Sequence, residues 1–153
     1  NNSKDTDSKD ADSHDAIVNN HLYEFYHLAG FSFISLIGKN TSISPSSRIG
    51  NGVIIQNGVN ISARSQVSNQ VKLNVNANIM HDCIIEEFCT VAPNAVTLGY
   101  VRMGHCSFLG ANSTILPRVS VGQNVVIGAG AVVTLDLDGG KTYVGNPARQ
   151  IKK

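Results

Sequence analysis

Histidine is the side chain of this sequence best suited to acid–base chemistry near neutral pH, because its unperturbed pKa lies close to neutrality. The chain has five histidines. His14 lies in a polar leader, and His21 and His27 lie in a segment with helical periodicity. His81 and His105 lie in a long repetitive stretch. They are therefore the candidates for a general base that takes a proton from a nucleophile and returns it to a leaving group.

The repetitive stretch has a period of six residues, which determines where these side chains point. Stepping by six from Ile43 to Val133 gives sixteen positions, of which fifteen are aliphatic. In the column four residues later, fifteen of sixteen positions are Ser, Ala, Val or Cys. Neither a helix nor a hairpin sheet keeps phase at six, so the pattern predicts a coil with straight sides and an aliphatic interior.

The column three residues after the aliphatic one predicts the corners of this coil. Nine of its sixteen members are Gly, Asn or Asp, the residues that best tolerate a positive φ. Three repeats, one for each side, make one triangular coil. Successive coils stack at the β spacing of about 4.8 Å, so residues three repeats apart in this sequence lie above one another. We therefore predict an all-β protein, a parallel β-helix.

Composition changes along the chain set the predicted domain boundaries. Residues 1–15 are too polar to bury a core and are predicted to be disordered. Residues 16–40 carry a helical pattern between two short apolar runs. The β-helix is predicted over residues 41–138, and residues 139–153 form a C-terminal tail.

Charge, hydropathy and cysteine usage exclude several classes of partner. The formal net charge of +1 provides no basic field for nucleic acid, and no apolar run approaches the roughly 20 residues needed to cross a bilayer. The three cysteines, Cys83, Cys89 and Cys106, are an odd number without a CxxC pair. This usage favours reduced thiols in the cytoplasm.

Three runs of residues carry a family likeness. MHDC on one coil, IGAGAVVT on a later coil and VGNPARQIK near the end resemble bacterial sugar acetyltransferases of the left-handed β-helix superfamily. The run NANIMHDCIIEEF resembles the branch with sialic-acid O-acetyltransferases and N-acetyltransferases of nucleotide-linked 4-amino sugars. The resemblance implies acetyl-CoA as co-substrate, a homotrimer and a role in surface-glycan biosynthesis. The favoured acceptor is the amino group of a nucleotide-linked amino sugar, and a sugar hydroxyl, as in sialic acid, is the alternative.

In these relatives a small Rossmann-like domain precedes the β-helix, and residues 16–40 resemble only its end. We expect a helix from about Asn20 to Ala29, followed by a strand from Phe31 to Ile37. One face of the helix holds Leu22, Phe25, Tyr26 and Ala29. The expected fold is thus a left-handed parallel β-helix of hexapeptide repeats, preceded by a partial α/β segment.

The position of His81 in the repeat favours a functional role. It lies two residues after the aliphatic column and faces outward, in line with Ala63, Gly99 and Pro117 on other coils, which leaves space beside the imidazole. The resemblance implies that His81 is the catalytic base and that Gly99 is the glycine kept above it. Asp82 stands where relatives carry an acidic residue that orients the imidazole and raises its basicity.

The resemblance also implies a donor site along a groove between neighbouring prisms of the trimer. Basic residues toward the C-terminal end, which could meet the phosphates of the donor, are Arg118, Lys141, Arg149, Lys152 and Lys153. The implied cofactor-binding positions are Thr90, Gly99, Ala111, Ala129, Arg118 and Arg149.

Two other functions of such a scaffold fit the sequence less well. A zinc hydratase resembling the γ-class carbonic anhydrases needs three histidines per metal, whereas His81 and His105 are isolated and four repeats apart, so no metal is expected. A non-catalytic scaffold or binding surface would show a flat array of repeated Thr or apolar residues, but the outward columns are mixed. Glu87 precedes His105 by three repeats, so the two side chains are expected to stack on neighbouring coils. A stacked ion pair would then explain both residues without a catalytic role.

Overall fold

The protein is described by a computed structural model over residues 11–151, with side chains described from residue 20 onward. Helix α1 spans Ala11–Leu28. Residues 11–15, the end of the segment predicted to be disordered, therefore lie in this helix, and residues 1–10 lie outside the described part. After the helix, short strands recur every six residues and form three flat faces.

The three faces are named A, B and C. Face A contains β1 (Leu36–Ile37), β4 (Ile54–Ile55), β7 (Lys72–Leu73), β10 (Thr90–Val91), β13 (Phe108–Leu109), β16 (Val126–Ile127), β18 (Thr142–Val144) and β19 (Arg149–Ile151). Face B contains β2 (Ser42–Ile43), β5 (Asn60–Ile61), β8 (Asn78–Ile79), β11 (Val96–Thr97), β14 (Thr114–Ile115) and β17 (Val132–Val133). Face C contains β3 (Arg48–Ile49), β6 (Gln66–Val67), β9 (Ile84–Ile85), β12 (Arg102–Met103) and β15 (Ser120–Val121).

From β1 to β17, neighbouring strands within each face are parallel and three repeats apart. Thr90 pairs with Phe108 on face A, and Asn78 pairs with Val96 on face B. Backbone hydrogen bonds run from coil to coil, so each coil satisfies the peptide groups of the next. The triangular coil of three repeats predicted from the period of six is therefore confirmed.

The core is the interior of this prism. From Ile55 to Val133 the whole aliphatic column is buried, and Ile79 and Ile127 have no exposed surface. The small column that follows it is buried as well, and alternation of large and small side chains fills each coil. Full burial of one such aliphatic side chain contributes about 1.5–3 kcal/mol.

The corners have left-handed backbone, regardless of residue type. Every sixth residue from Gly52 to Gly130 has a positive φ, including the bulky Arg64, Tyr100 and Arg118. A side chain with a Cβ pays about 1–2 kcal/mol for this conformation, so the coil geometry must impose it. Corner AB joins face A to face B, corner BC joins face B to face C, and corner CA joins face C to face A.

The N-terminal region differs from the expectation. Of the strand predicted from Phe31 to Ile37, only β1 forms, and β1 pairs with β4 as the first rung of face A. The β-helix thus begins before residue 41, the predicted boundary. The Tyr23 ring of α1 contacts the prism, since its centroid lies 5.5 Å from that of Phe88, and it lies 4.9 Å from that of Phe33. Side chains of the predicted apolar helix face, Leu22, Phe25 and Tyr26, are exposed.

The C-terminal segment, predicted as a tail, contains the last two strands. β18 adds in parallel to β16, with Thr142 opposite Val126, and β19 returns antiparallel to β18. Lys152 and Lys153 lie outside the described residues. No helix within residues 11–151 combines the length and the apolar character that a membrane span requires.

Candidate active site

His81 lies on corner BC, in the turn that follows β8. The interior position of Ile79 and the left-handed conformation of Asp82, at φ 59°, direct the His81 side chain between them away from the core. Its side chain is 47% exposed. The outward orientation predicted for His81 from its column is confirmed.

Asp82 orients the imidazole of His81. The His81 Nδ1 lies 2.8 Å from the Asp82 Oδ2. An ionised carboxylate only accepts hydrogen bonds, so Nδ1 carries the proton and Nε2 keeps its lone pair. The ring is therefore held as the tautomer that can accept a proton at Nε2.

Arg64, one coil earlier on the same corner, binds the other side of the Asp82 carboxylate. Its Nε lies 2.7 Å from Oδ1 and its Nη2 lies 2.8 Å from Oδ2, a two-pronged arrangement. The hydrogen bonds from Arg64 and then from His81 lower the pKa of Asp82 to about 2. Asp82 therefore stays ionised throughout the neutral range.

Gly99 and Tyr100 lie on the next coil, above His81. A Cβ placed on Gly99 would lie 2.6 Å from Cε1 and 2.7 Å from Nε2 of the imidazole, so only glycine leaves room for the ring. The Tyr100 ring meets the imidazole edge to face, with centroids 5.3 Å apart. The Arg118 guanidinium lies 4.6 Å from the centroid of the Tyr100 ring. One corner thus aligns a histidine, its carboxylate, an aromatic ring and two arginines.

The residues expected to bind the donor lie on several parts of the prism. Thr90 is half-buried on face A, and Ala111 and Ala129 lie on corner AB. Arg118 lies on corner BC beside Tyr100, whereas Arg149 lies in β19 at the end of face A. Among the six positions expected to bind the donor, Gly99 and Arg118 lie on the corner of His81.

The basic residues near the C-terminal end do not form one group in the described part of the chain. Lys141 Nζ lies 2.8 Å from the Asp138 Oδ2, so this ammonium group already forms an ion pair. The Arg149 Nη1 donates to the carbonyl oxygen of Ala148 at 2.9 Å. The predicted cluster is thus spread over corner BC and the final hairpin.

The ion pair expected between Glu87 and His105 is wrong. Glu87 Oε1 accepts a hydrogen bond from Asn69 Nδ2 at 2.8 Å. Glu86 Oε2 instead accepts the backbone N–H of His105 at 3.1 Å, and the His105 ring packs against Phe88 with centroids 5.5 Å apart. A separation of three repeats stacks two side chains on neighbouring coils. Other donors and acceptors nearby then decide whether the two form a hydrogen bond or an ion pair.

Arg64 and Tyr100 are the site residues that the sequence interpretation missed. Both stand three repeats from Asp82 in the corner column, so the coil register was the available signal. An arginine and a tyrosine at turn positions are not types that by themselves indicate an acyl-transfer site. Within the described residues, no group of three His, Cys, Asp or Glu side chains is placed to hold a metal ion.

The fold and the site together define a parallel β-helix with a solvent-facing histidine and carboxylate pair on one corner. Two family models match the repeat: "Bacterial transferase hexapeptide (six repeats)" over residues 100–134 and "Hexapeptide repeat of succinyl-transferase" over residues 35–63. The chain belongs to the left-handed β-helix superfamily of bacterial sugar acetyltransferases with hexapeptide repeats. The expected fold class is confirmed.

Within this superfamily, the chain is similar to amino-sugar N-acetyltransferases. PerB from Caulobacter crescentus, crystallised with CoA and GDP-perosamine, is 32% identical with a TM-score of 0.89, over 90% of this chain and 67% of that one. The acetyltransferase domain of PglB from Neisseria gonorrhoeae, in complex with acetyl coenzyme A, is 31% identical with a TM-score of 0.87, over 89% of this chain and 66% of that one. GDP-perosamine N-acetyltransferase of Escherichia coli O157:H7 is 31% identical over 132 residues, 82% of this chain. The chain spans 59% of the length of that curated relative.

Proposed function

We propose that this protein transfers an acetyl group from acetyl-CoA to the amino group of a nucleotide-linked amino sugar. The observation that carries the proposal is the half-exposed imidazole of His81, which is held by Asp82 at Nδ1 and whose Nε2 has no hydrogen-bond partner among the described residues. A neutral imidazole in this state is a general base for a nucleophile that approaches from solvent. Similarity to proteins that bind CoA and GDP-perosamine supports the donor and the acceptor class.

In this reaction the sugar nitrogen attacks the thioester carbonyl carbon and forms the new C–N bond. His81 Nε2 takes a proton from the nitrogen, and Asp82 stabilises the imidazolium that results. The C–S bond then breaks, and the proton passes from His81 to the departing thiolate to give free CoA. The Gly99 N–H donates to no acceptor in the described part of the chain, so it is available to stabilise the oxyanion.

The positions of the donor residues favour a site shared between chains. Ala111 and Ala129 lie on corner AB, whereas His81 lies on corner BC, and a prism keeps its corners apart. Packing of prisms side by side would bring corner BC of one chain to corner AB of another. We therefore propose a homotrimer in which acetyl-CoA lies between chains, near Thr90 and both alanines of one chain, with Arg118 or Arg149 toward its phosphates.

We further propose that the reaction takes place in the cytoplasm and belongs to surface-glycan biosynthesis. Structures of the similar proteins contain CoA and GDP-perosamine or acetyl coenzyme A, and we expect this protein to meet such substrates in the cytoplasm. The three cysteines are free and buried, which agrees with a reducing compartment.

The test measures release of the CoA thiol with a chromogenic disulfide reagent, against a panel of nucleotide-linked amino sugars and sialic acid. The cysteines of the protein itself give little background, because all are buried and desolvation raises the pKa of Cys89 to about 12. We expect turnover with an amino sugar. Turnover with sialic acid alone would reassign the acceptor to a hydroxyl, and no turnover with any acceptor would contradict the proposed function.

The His81→Ala variant tests the assigned base. The rate should fall by about 100-fold or more, because proton transfer is lost, while acetyl-CoA affinity measured by calorimetry changes little. His105→Ala is the matched control, since this imidazole lies on corner CA and packs against Phe88. Unchanged turnover in His81→Ala would contradict the role of His81.

A further inference from the structure

Arg64 and His81 share one carboxylate. The Asp82 Oδ2 is within 2.8 Å of both the Arg64 Nη2 and the His81 Nδ1, while Oδ1 lies 2.7 Å from the Arg64 Nε. A planar guanidinium thus holds the carboxylate at both oxygens, and the imidazole contacts one of the same oxygens. Two-pronged pairs of this kind are the most directional of the ion pairs that arginine forms.

This arrangement has two opposite effects on the imidazole. The guanidinium holds Asp82 in the plane that His81 needs, which fixes the direction of Nε2. It also brings a positive charge close to His81 and offsets the negative charge of Asp82. A lone carboxylate would stabilise the imidazolium strongly, whereas a carboxylate paired with arginine does so less. The guanidinium therefore acts both on the direction of the ring and on the charge that surrounds it.

The other polar groups around the imidazole do not replace this effect. Tyr100 faces the ring from the coil above, and Arg118, from the coil after that, lies over the Tyr100 ring. The Cys83 thiol lies on the interior side, where desolvation raises its pKa, so it is neutral near pH 7. Asp82 is thus the anionic group in direct contact with the imidazole among the described residues, and Arg64 is its cationic partner.

The arginine itself is a permanent charge. The hydrogen bond and the charge of Asp82 raise the pKa of Arg64 above its ordinary value, and Tyr100 adds to this effect. Its side chain is 64% exposed, so solvent screens the pair and the effect on His81 should be moderate.

We propose that Arg64 is a positioning residue, which orients the Asp82 and His81 pair and lowers the basicity of His81 by sharing the carboxylate. Its importance for turnover rests on the proposed function. Its effect on His81 is a property of the folded protein that can be measured without turnover.

The test compares wild-type protein with Arg64→Met, Arg64→Lys and Asp82→Asn, using NMR titration of the His81 ring. In Arg64→Met the midpoint of that titration should rise by about half a pH unit, the size expected when one charge several ångströms away is removed in a water-like medium. Arg64→Lys keeps the charge and should stay near the wild-type midpoint. Asp82→Asn should lower it, because the imidazolium loses its anion.

Kinetics with the preferred acceptor then separates charge from orientation. The acidic limb of kcat against pH should move upward with the NMR midpoint in Arg64→Met. At its plateau kcat should fall about tenfold, since the support of a catalytic group is lost. Arg64→Lys should restore the pH profile but not the full plateau, because a point charge lacks the two-pronged geometry.

Arg48→Met, at an exposed arginine of β3 on face C, is the matched control and should leave both readouts unchanged. An Arg64→Met midpoint equal to that of wild type would overturn the proposal. Absence of turnover in the wild type would contradict the proposed function instead, and the NMR titration would still decide the effect of Arg64.

Discussion

Gly99→Ala is the most direct test of how the coil geometry serves the site. The new methyl carbon would lie 2.6 Å from the His81 Cε1, against the 3.4 Å at which ordinary contact begins, so the imidazole must move by about 0.8 Å. The atoms in the way belong to the end of an exposed side chain, not to backbone. The ring should therefore turn aside while the fold is kept.

The cost of this movement can be worked from the contact it breaks. A ring displaced by this distance loses its 2.8 Å hydrogen bond to the ionised Asp82. Proton transfer by a positioned side chain contributes about 100- to 10,000-fold to a rate, and a misplacement of about 1 Å can cost about 100-fold. We expect kcat to fall by about 10- to 100-fold, with little change in melting temperature.

The assay is thiol release under saturating acetyl-CoA, with donor affinity measured separately by calorimetry. Gly52→Ala is the control for kcat, because its methyl carbon would also meet the end of a side chain, that of Gln70, but on corner CA and away from His81. The left-handed backbone of Gly52, at φ 66°, should lower the melting temperature of this control, while its kcat should be unchanged. In a His81→Ala background the Gly99→Ala change should cause no further loss of rate, since no ring remains to be displaced. Full kcat in Gly99→Ala with weakened acetyl-CoA binding would refute this reasoning and make Gly99 a donor contact only.

Two further predictions concern the prism and its assembly. Ile79→Asp should abolish cooperative folding, because an unpaired carboxylate in the interior costs several kcal/mol against a total stability of about 5–15 kcal/mol. The control is Asn78→Asp, on the outer side of the same strand, which should melt near the wild-type temperature. Melting curves of Ile79→Asp that match the wild type would show that the aliphatic column does not face inward. Sedimentation at micromolar concentration should show a trimer, because the proposed donor site needs residues of two chains, and a monomer that turns over at full rate would contradict that site.

The period of six was sufficient to predict the coil, its interior and its corners. In a solenoid, position along the chain converts directly into height and side, because each coil contacts only the coils next to it. The same conversion placed His81 on the outside, Gly99 directly above it and Asp82 at the left-handed turn position. These features needed no knowledge of tertiary contacts beyond the register of three repeats per coil.

The repeat pattern predicted the secondary structure before the β-helix less well. The polar composition before Ala16 gave no indication that α1 begins at Ala11. The apolar run before residue 41 was assigned to another domain, whereas Leu36–Ile37 completes a rung of face A. Short apolar runs fit several elements equally well, and pairing with the neighbouring coil decided between them.

Only the tertiary structure decided which stacked side chains bond. Arg64 lies one coil from Asp82 and binds it. Glu87 lies one coil from His105, yet its carboxylate accepts a hydrogen bond from Asn69 instead. The register brings such side chains within reach, but rotamers and competition from adjacent donors determine the pairs. The sequence therefore determined where the base lies, and the three-dimensional packing of corner BC determined how its carboxylate is held.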